Sequence, residues 1–187
     1  MPAQTNTSSP AAKRRRCLIY TAVGIILQTL IIVAFVLIFM RIKSPKLRFH
    51  SVSVDKLTVN SASPSSFSIR LNGEVAVRNR NFGHFKWADT PISILYRGNT
   101  IGTVQIPGDR AKARSTKKLN VTAAAEAKND RNLTGDLSLG KITLSSHATL
   151  QGKIHLFKVI KRKKTATMDC TMDVDTRTRA VQNLQCK

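Results

Sequence analysis

The stretch CLIYTAVGIILQTLIIVAFVLIFM, residues 17–40, decides how the rest of the chain is organised, because it contains no charged residue. As an α-helix with about 1.5 Å of rise per residue it would extend roughly 36 Å, enough to cross a hydrocarbon core of about 30 Å with some tilt. The alternative is a helix packed on a soluble core, but no polar face recurs here at helical spacing. We therefore predict one transmembrane helix over residues 17–40.

The basic run Lys13–Arg16 directly precedes this span, and residues 1–16 as a whole are polar and of low complexity. A cleaved signal peptide has an apolar region of only about 7–15 residues, followed by small residues at the cleavage site. This span is longer and ends in Phe39-Met40-Arg41. We therefore predict an uncleaved signal anchor, preceded by a disordered basic cytosolic tail over residues 1–16.

The basic residues around the span do not decide its orientation, because four precede it and four follow closely. Glycosylation sequons at Asn120 and Asn132 favour a C-terminal domain outside the cytosol. Cys170 and Cys186 favour the same side if they form a disulfide, which persists in oxidising compartments, whereas two small buried hydrophobic residues are the alternative. With this orientation Cys17 lies at the cytosolic edge, either as a candidate for reversible palmitoylation or simply as a further apolar residue.

The net charge of the chain is strongly positive, with 31 Lys and Arg against 10 Asp and Glu. Residues 1–40 contain four basic residues and no acidic one, so residues 41–187 carry 27 basic and all ten acidic residues, a net charge of +17. Such a domain attracts polyanions, of which nucleic acid, phospholipid headgroups and acidic cell-wall polysaccharide are the main classes. Attachment to a membrane argues against nucleic acid. The remaining alternative is that the charge only keeps the surface soluble.

Beyond a juxtamembrane linker over residues 41–48, apolar and polar residues alternate, as in Phe67, Ile69 and Leu71. A period of two is typical of strands with one buried face. About eight such segments follow one another at short spacing, separated by turn signals such as Arg97-Gly98-Asn99, and no long amphipathic helix interrupts them. The pattern predicts an all-β domain over residues 49–187, built as an antiparallel sandwich.

Three local features of this domain have specific interpretations. Gly73 interrupts a long alternating pattern, which predicts a bulge or sharp bend. The stretch 123–132, AAAEAKNDRN, predicts one short helix or a loop. The run Lys161–Lys164 indicates either a patch for anionic lipid or polysaccharide or, as the simpler interpretation, a solvated hairpin tip.

The sequence contains no recognisable catalytic or metal-binding constellation. The four histidines lack metal-ligand spacing, and nucleophile-elbow, P-loop and dinucleotide-binding motifs are absent. Asp169, Asp173 and Asp175 are close enough to consider weak calcium binding, but their stretch alternates as a strand and favours a solvated face. We therefore predict no catalytic residue, no cofactor and no metal.

Three consecutive stretches resemble a known family: VAVRNRN at 75–81, FGHFKW at 82–87 and ISILYRGNTIGTVQIP at 92–107. In order and spacing they are similar to the plant late embryogenesis abundant group-two family, which overlaps the hydroxyproline-rich glycoproteins and the harpin-induced and non-race-specific disease resistance-like proteins and shares the WHy domain. Arg80 replaces a proline of the family pattern. The residues that match the pattern are Asn79, Asn81, Tyr96, Gly98, Gly102 and Pro107.

The resemblance implies an immunoglobulin/fibronectin III-like β-sandwich without catalytic residues. It also implies single-pass anchoring, mostly at the plasma membrane, and a role in abiotic stress or defence against pathogens. Combined with the charge, it predicts a protein whose outward-facing domain contacts wall polyanions or partner proteins. A lipid-handling sandwich with an apolar groove is the alternative, and an enzyme would need a pocket with converging titratable groups.

Overall fold

The computed structural model describes residues 10–39, 41–62, 65–128, 130, 132–156 and 160–187. The chain divides into two compact units, Met1–Arg41 and Ile42–Lys187. The first contains helix α1 and the second contains every strand.

Helix α1 covers Pro10–Phe39, so it begins before the apolar stretch and includes part of the tail that was predicted to be disordered. Its segment Arg14–Leu37 is long and apolar enough to cross a membrane, and none of it is buried against protein. The hydroxyl of Thr21 donates to the carbonyl oxygen of Cys17, which satisfies this polar group within the helix itself. An exposed apolar helix of this kind is compatible with the predicted membrane anchor.

The described part of the second unit contains ten strands and one short helix. In chain order they are β1 (Lys46–Asn60), β2 (Ser66–Arg78), β3 (His84–Trp87), β4 (Thr90–Tyr96), β5 (Asn99–Ile106), β6 (Arg110–Ala111), β7 (Thr116–Lys128), α2 (Leu133–Leu139), β8 (Lys141–Leu156), β9 (Ile160–Asp175) and β10 (Ala180–Cys186).

All ten described strands belong to one antiparallel sheet, whereas the sequence predicted about eight strands. The order runs β1-β2-β7-β5-β4-β8, with β9 and then β10 continuing beyond β8. Strand β3 pairs with the second half of β8, and β6 pairs with β3. Strand β1 packs beside β9 and β10 without ladder pairing, so the sheet curls until it is nearly closed. The all-β antiparallel prediction is confirmed, and the narrower immunoglobulin/fibronectin III-like assignment stays a prediction.

The ladder between β5 and β7 is the shortest in the sheet and consists of one pair, Gly102 with Ala125. A side chain at Gly102 would collide with the carbonyl oxygen of Ala124, so only glycine permits this approach. The nearly closed sheet surrounds one core, to which residues from both sides of this β5–β7 junction contribute. Examples are Phe67, Ile69, Leu71, Ile94, Tyr96, Ile142, Leu144, Met172 and Val174.

Two local predictions are wrong. Residues 123–128 continue strand β7, with Ala123, Ala125 and Ala127 buried, and the only helix of the described part of this unit begins later, at Leu133. Gly73 pairs in regular register with Val52, while the irregularities lie in β1, between Phe49 and Ser51 and between Val54 and Lys56. Gly73 has a different role, because a Cβ atom there would lie 2.9 Å from the Phe49 ring.

Candidate functional site

The chain enters the domain at one end of the sheet, which we call the proximal end. Ladder pairs join Lys46 to Arg78 and Arg78 to Thr116, so the start of β1, the end of β2 and the start of β7 meet there. The short strands β3 and β6 belong to the same end, because Asn79, directly after β2, bonds to Gly83 before β3 and to Lys112 after β6. The hairpin end of β8 and β9 joins them there, since β3 pairs with both β6 and β8. Residues far apart in sequence therefore meet around the start of β1.

Asn79 and Asn81 form a buried network at the proximal end. Asn79 Nδ2 donates to the carbonyl oxygens of Gly83 at 2.7 Å and Lys112 at 2.9 Å, and Asn79 Oδ1 accepts the backbone N–H of Asn81 at 3.1 Å. Asn81 Nδ2 donates to the carbonyl oxygen of Lys43 at 2.7 Å, and Asn81 Oδ1 accepts the Lys43 N–H at 2.6 Å. We call this two-way amide contact the Asn81–Lys43 clamp. It fixes the first residues of the domain to the end of β2.

The remaining motif residues are spread over the molecule and do not converge. The backbone at Gly98 has φ +86°, next to Arg97 at φ +48°, and this left-handed pair forms the predicted turn between β4 and β5. The carbonyl oxygen of Pro107 accepts the Trp87 indole N–H at 3.1 Å. Gly102 forms the single ladder pair between β5 and β7. These positions give the family pattern a structural meaning at each residue without defining a ligand site.

Tyr96 belongs to a polar cluster at the opposite end of the domain. Its hydroxyl donates to Asp136 Oδ2 at 2.7 Å, and Arg97 makes a two-pronged contact with the same carboxylate, the shortest N–O distance being 2.9 Å. Burial, reinforced by the bond to Asp136, raises the pKa of Tyr96 to about 12. The hydrogen bond from Arg97 holds the pKa of Asp136 below its usual range. The cluster attaches helix α2 to the β4–β5 turn and contains no free nucleophile or base.

Basic side chains are concentrated at the proximal end. Two of them have acidic partners there, since Lys117 contacts Asp109 and Lys118 contacts Glu74, both at 2.9 Å. The described basic residues on those parts of the elements that belong to the proximal end are Lys43, Lys46, Arg48, Arg78, Arg80, Lys86, Arg110, Lys112, Arg114, Lys117, Lys118, Lys153, Lys161, Arg162, Lys163 and Lys164.

The run Lys161–Lys164 lies within strand β9 rather than in a hairpin tip, and residues 157–159 fall outside the described part of the chain. Lys163 pairs in register with Lys153 of β8, and Lys153 pairs in turn with Lys86 of β3. Three neighbouring strands thus align their basic residues, and sequence reasoning missed the two contributed by β3 and β8 because strand register is not local.

The three aspartates considered for calcium are already engaged. Asp169 Oδ1 lies 2.6 Å from His147 Nδ1, and Asp175 accepts backbone N–H groups of the following turn. Asp173 contacts Lys141 Nζ at 2.9 Å and accepts a bond from Asn183. Across the described residues, no group of His, Cys, Asp or Glu has a metal-binding arrangement.

The residues predicted for glycosylation and palmitoylation are exposed, and the two cysteines predicted to pair are joined. Asn120 is exposed on β7, and Asn132 is exposed directly before α2. A disulfide joins Cys170 on β9 to Cys186 on β10, which face each other in register. Cys17 is exposed and unpaired on α1. Neither glycosylation nor palmitoylation follows from exposure alone, and both stay predictions.

The interior offers little room for a lipid chain. An apolar cavity lies inside the nearly closed sheet, lined by residues such as Phe49, Leu71 and Met172, but its volume is only about 10 Å³. One polar atom, Ser146 Oγ, is buried there with no hydrogen-bond partner. The described residues thus enclose a space of about one water molecule.

Comparisons with known proteins agree on one family. A family model described as late embryogenesis abundant protein matches residues 74–172. A late embryogenesis abundant protein of Arabidopsis thaliana is 30% identical over 190 residues, covering 97% of this chain and 86% of that protein.

Among solved structures, a crystal structure of a protein from Archaeoglobus fulgidus shares 11% identity and covers 68% of this chain and 97% of its own, with a TM-score of 0.38. A solution structure of an Arabidopsis thaliana protein shares 15% identity and covers 70% and 82% respectively, with a TM-score of 0.41.

Proposed function

The chain belongs to the late embryogenesis abundant protein family, and from that premise we propose a non-enzymatic, single-pass membrane protein of the stress or defence response. The proposal includes the group-two branch with its WHy module, and the immunoglobulin/fibronectin III-like relationship of the domain. Helix α1 would cross the plasma membrane with its N-terminus in the cytosol, and the β domain would face the wall.

The observation that carries the proposal is the concentration of basic side chains at the proximal end. Surface charges of one sign attract polyanions over a distance set by ionic strength. The run Lys161–Lys164 on β9 supplies four consecutive cations, of which the first three are exposed and Lys164 is half-buried. Lysines from β3 and β8 lie beside them in the sheet. We propose that this surface contacts acidic wall polysaccharide, with acidic partner proteins as the second class of ligand.

The lipid-handling alternative receives no support from the interior of the domain. An acyl chain needs a continuous apolar groove, whereas the cavity around Phe49 and Met172 has a volume of about 10 Å³. We therefore retain the electrostatic proposal.

Binding of the full chain, held in phosphatidylcholine nanodiscs, to polygalacturonate tests the proposal. We expect affinity to fall at least about tenfold between roughly 0.03 M and roughly 0.3 M salt, because exposed charges are screened. Replacing Lys161, Arg162, Lys163 and Lys164 by Gln should weaken binding strongly. The matched control replaces Lys56, Lys128, Arg177 and Arg179, which lie away from the proximal end, and should retain most of it. Equal losses in the two variants, or no salt dependence, would refute the proposed surface.

A further inference from the structure

We propose that a cleft between β3, β6 and β8 binds a compact tetrahedral dianion, either phosphate or sulfate or an ester of one, and binds it more tightly as pH falls because His84 and His155 become protonated. This goes beyond the proposed contact with wall polymer, since it concerns one cleft at the proximal end, its two histidines and a different ligand. The cleft has a volume of about 620 Å³.

Four nitrogen-bearing side chains line this cleft: His84 from β3, Arg110 from β6, Lys112 from the segment after β6, and His155 from β8. The two imidazole rings are stacked, with centroids 4.8 Å apart and planes at 12°. At the rim, the guanidinium of Arg114 lies over the Phe82 ring, 4.2 Å from its centroid. An arginine fork, an ammonium and two ring nitrogens are the groups that proteins use to bind phosphate and sulfate.

Strand register builds the cleft, and two glycines make that register sterically feasible. His84 pairs directly with His155. A Cβ atom at Gly83 would collide with the backbone carbonyl of His155, and one at Gly152 would lie 2.5 Å from the carbonyl oxygen of Lys86. Both glycines therefore allow β3 to approach β8 closely, and this approach stacks the two rings.

The electrostatic surroundings of the histidine pair are uniformly positive. Lys86 on β3, Lys153 on β8 and Lys161 on β9 are close enough to act on His155, together with His84. Burial, followed by these positive neighbours, holds the pKa of His155 below its usual range. No acidic residue lines the described cleft, and Asp109, beside Arg110 in the chain, is held by Lys117.

This arrangement couples anion binding to proton binding. Positive charges on both rings would repel each other, because the ring centroids are 4.8 Å apart and several lysines surround them. A bound dianion offsets that repulsion, so protons favour the anion and the anion favours protons. Arg110, Lys112 and the two rings line one cleft, a placement that suits a compact dianion better than carboxylates spaced along a polymer.

Titration calorimetry with inorganic sulfate, on the full chain in phosphatidylcholine nanodiscs, tests the proposal. Sulfate stays doubly charged over this range, so any pH effect reports protonation of the protein. We expect binding to be at least about fivefold tighter at about pH 5.5 than at about pH 7.5. The double variant Arg110→Gln/Lys112→Gln should weaken binding about tenfold or more at both pH values.

Two further variants separate this site from general charge effects. His84→Gln/His155→Gln should keep binding at the higher pH and lose the gain on acidification. His147→Gln removes a histidine from the same strand β8, where it pairs with Asp169, and should change neither value. The proposal is overturned if the pH gain survives in the double histidine variant, or if Lys56→Gln/Lys128→Gln weakens sulfate binding as much as the Arg110/Lys112 pair of substitutions.

Nanodiscs of different composition identify the source of the anion. Phosphatidic acid carries a phosphate monoester headgroup, whereas phosphatidylserine supplies comparable negative charge without one. If a headgroup occupies the cleft, the apparent sulfate affinity falls in nanodiscs with phosphatidic acid and not in those with phosphatidylserine. If the ligand is a soluble anion, the two compositions give the same affinity. Either result retains the site, and both are independent of whether polygalacturonate binds to β9.

Discussion

At the scale of single residues, the amides of Asn79 and Asn81 explain why the family pattern contains asparagine at these positions. Each side chain is almost wholly buried, at 1% and 3% exposure, and each uses both its oxygen and its nitrogen. Aspartate in either place would bury a negative charge and would have no N–H to donate to the backbone carbonyl oxygens. Leucine would leave both the backbone N–H and carbonyl groups without partners. Arg80 between them is exposed, so the missing proline leaves the network unchanged.

Asn81→Ala should lower the free energy of unfolding by about 1–3 kcal/mol, because it leaves the N–H and carbonyl groups of Lys43 without their protein partners. Chemical denaturation of the full chain in detergent measures the change. The control, Asn72→Ala, removes one exposed side-chain contact with Thr122 and should cost no more than about 0.5 kcal/mol. Equal costs would show that the Asn81–Lys43 clamp has no special contribution.

Asp136→Asn should remove part of the pH dependence of stability in acid. The bond from Arg97 lowers the pKa of Asp136 in the folded state, so this stabilisation is present above the unfolded value and is lost as pH falls through the folded one. We expect the variant to be less stable by ~1 kcal/mol at neutral pH and to converge with the wild type as pH falls below the usual range of an aspartate pKa, about 4. Denaturation at a series of pH values gives the profile, and a constant gap down to low pH would contradict the assignment.

At the scale of elements, alternation predicted the strands because burial of one face is a local property of the sequence. It failed over residues 123–128, where alanines suggested a helix although Ala123, Ala125 and Ala127 alternate inward. Alanine favours helices intrinsically, but pairing of β7 with the whole length of β2 outweighs that preference. The histidine cleft could not be predicted from the sequence, because the register that joins His84 to His155 depends on long-range pairing.

The disulfide between β9 and β10 should stabilise the C-terminal hairpin substantially. Removing both cysteines, as Cys170→Ala/Cys186→Ala, should lower the free energy of unfolding by about 2–4 kcal/mol by freeing the unfolded chain. Denaturation with and without a phosphine reductant tests this, since the wild type should respond to reduction and the variant should not. Cys17→Ala keeps the disulfide and should behave as the wild type does. If the reductant reaches the fully unfolded wild type and still does not change its denaturation curve, the isolated protein contains no disulfide.

At the scale of the whole molecule, orientation in the membrane remains the central prediction. Glycosidase treatment of isolated membranes should increase the mobility of the protein, and Asn120→Gln/Asn132→Gln should abolish the shift, because both asparagines are exposed on the domain. The control, Asn6→Gln, alters a sequon in the predicted cytosolic tail and should leave the shift intact. If the domain is unmodified and Asn6 carries the glycan, the orientation is the opposite of the predicted one.

The Asn81–Lys43 clamp has a mechanical consequence. Lys43 follows α1 by only a few residues, so any tension between a membrane and a wall-bound domain would reach the clamp before strand β1. Beyond the clamp, β1 pairs only with β2 and would be peeled from its free end, one ladder pair after another. The two hydrogen bonds between the Lys43 backbone and the buried Asn81 side chain would therefore bear the load first and protect the β1–β2 hydrogen-bond ladder from unzipping.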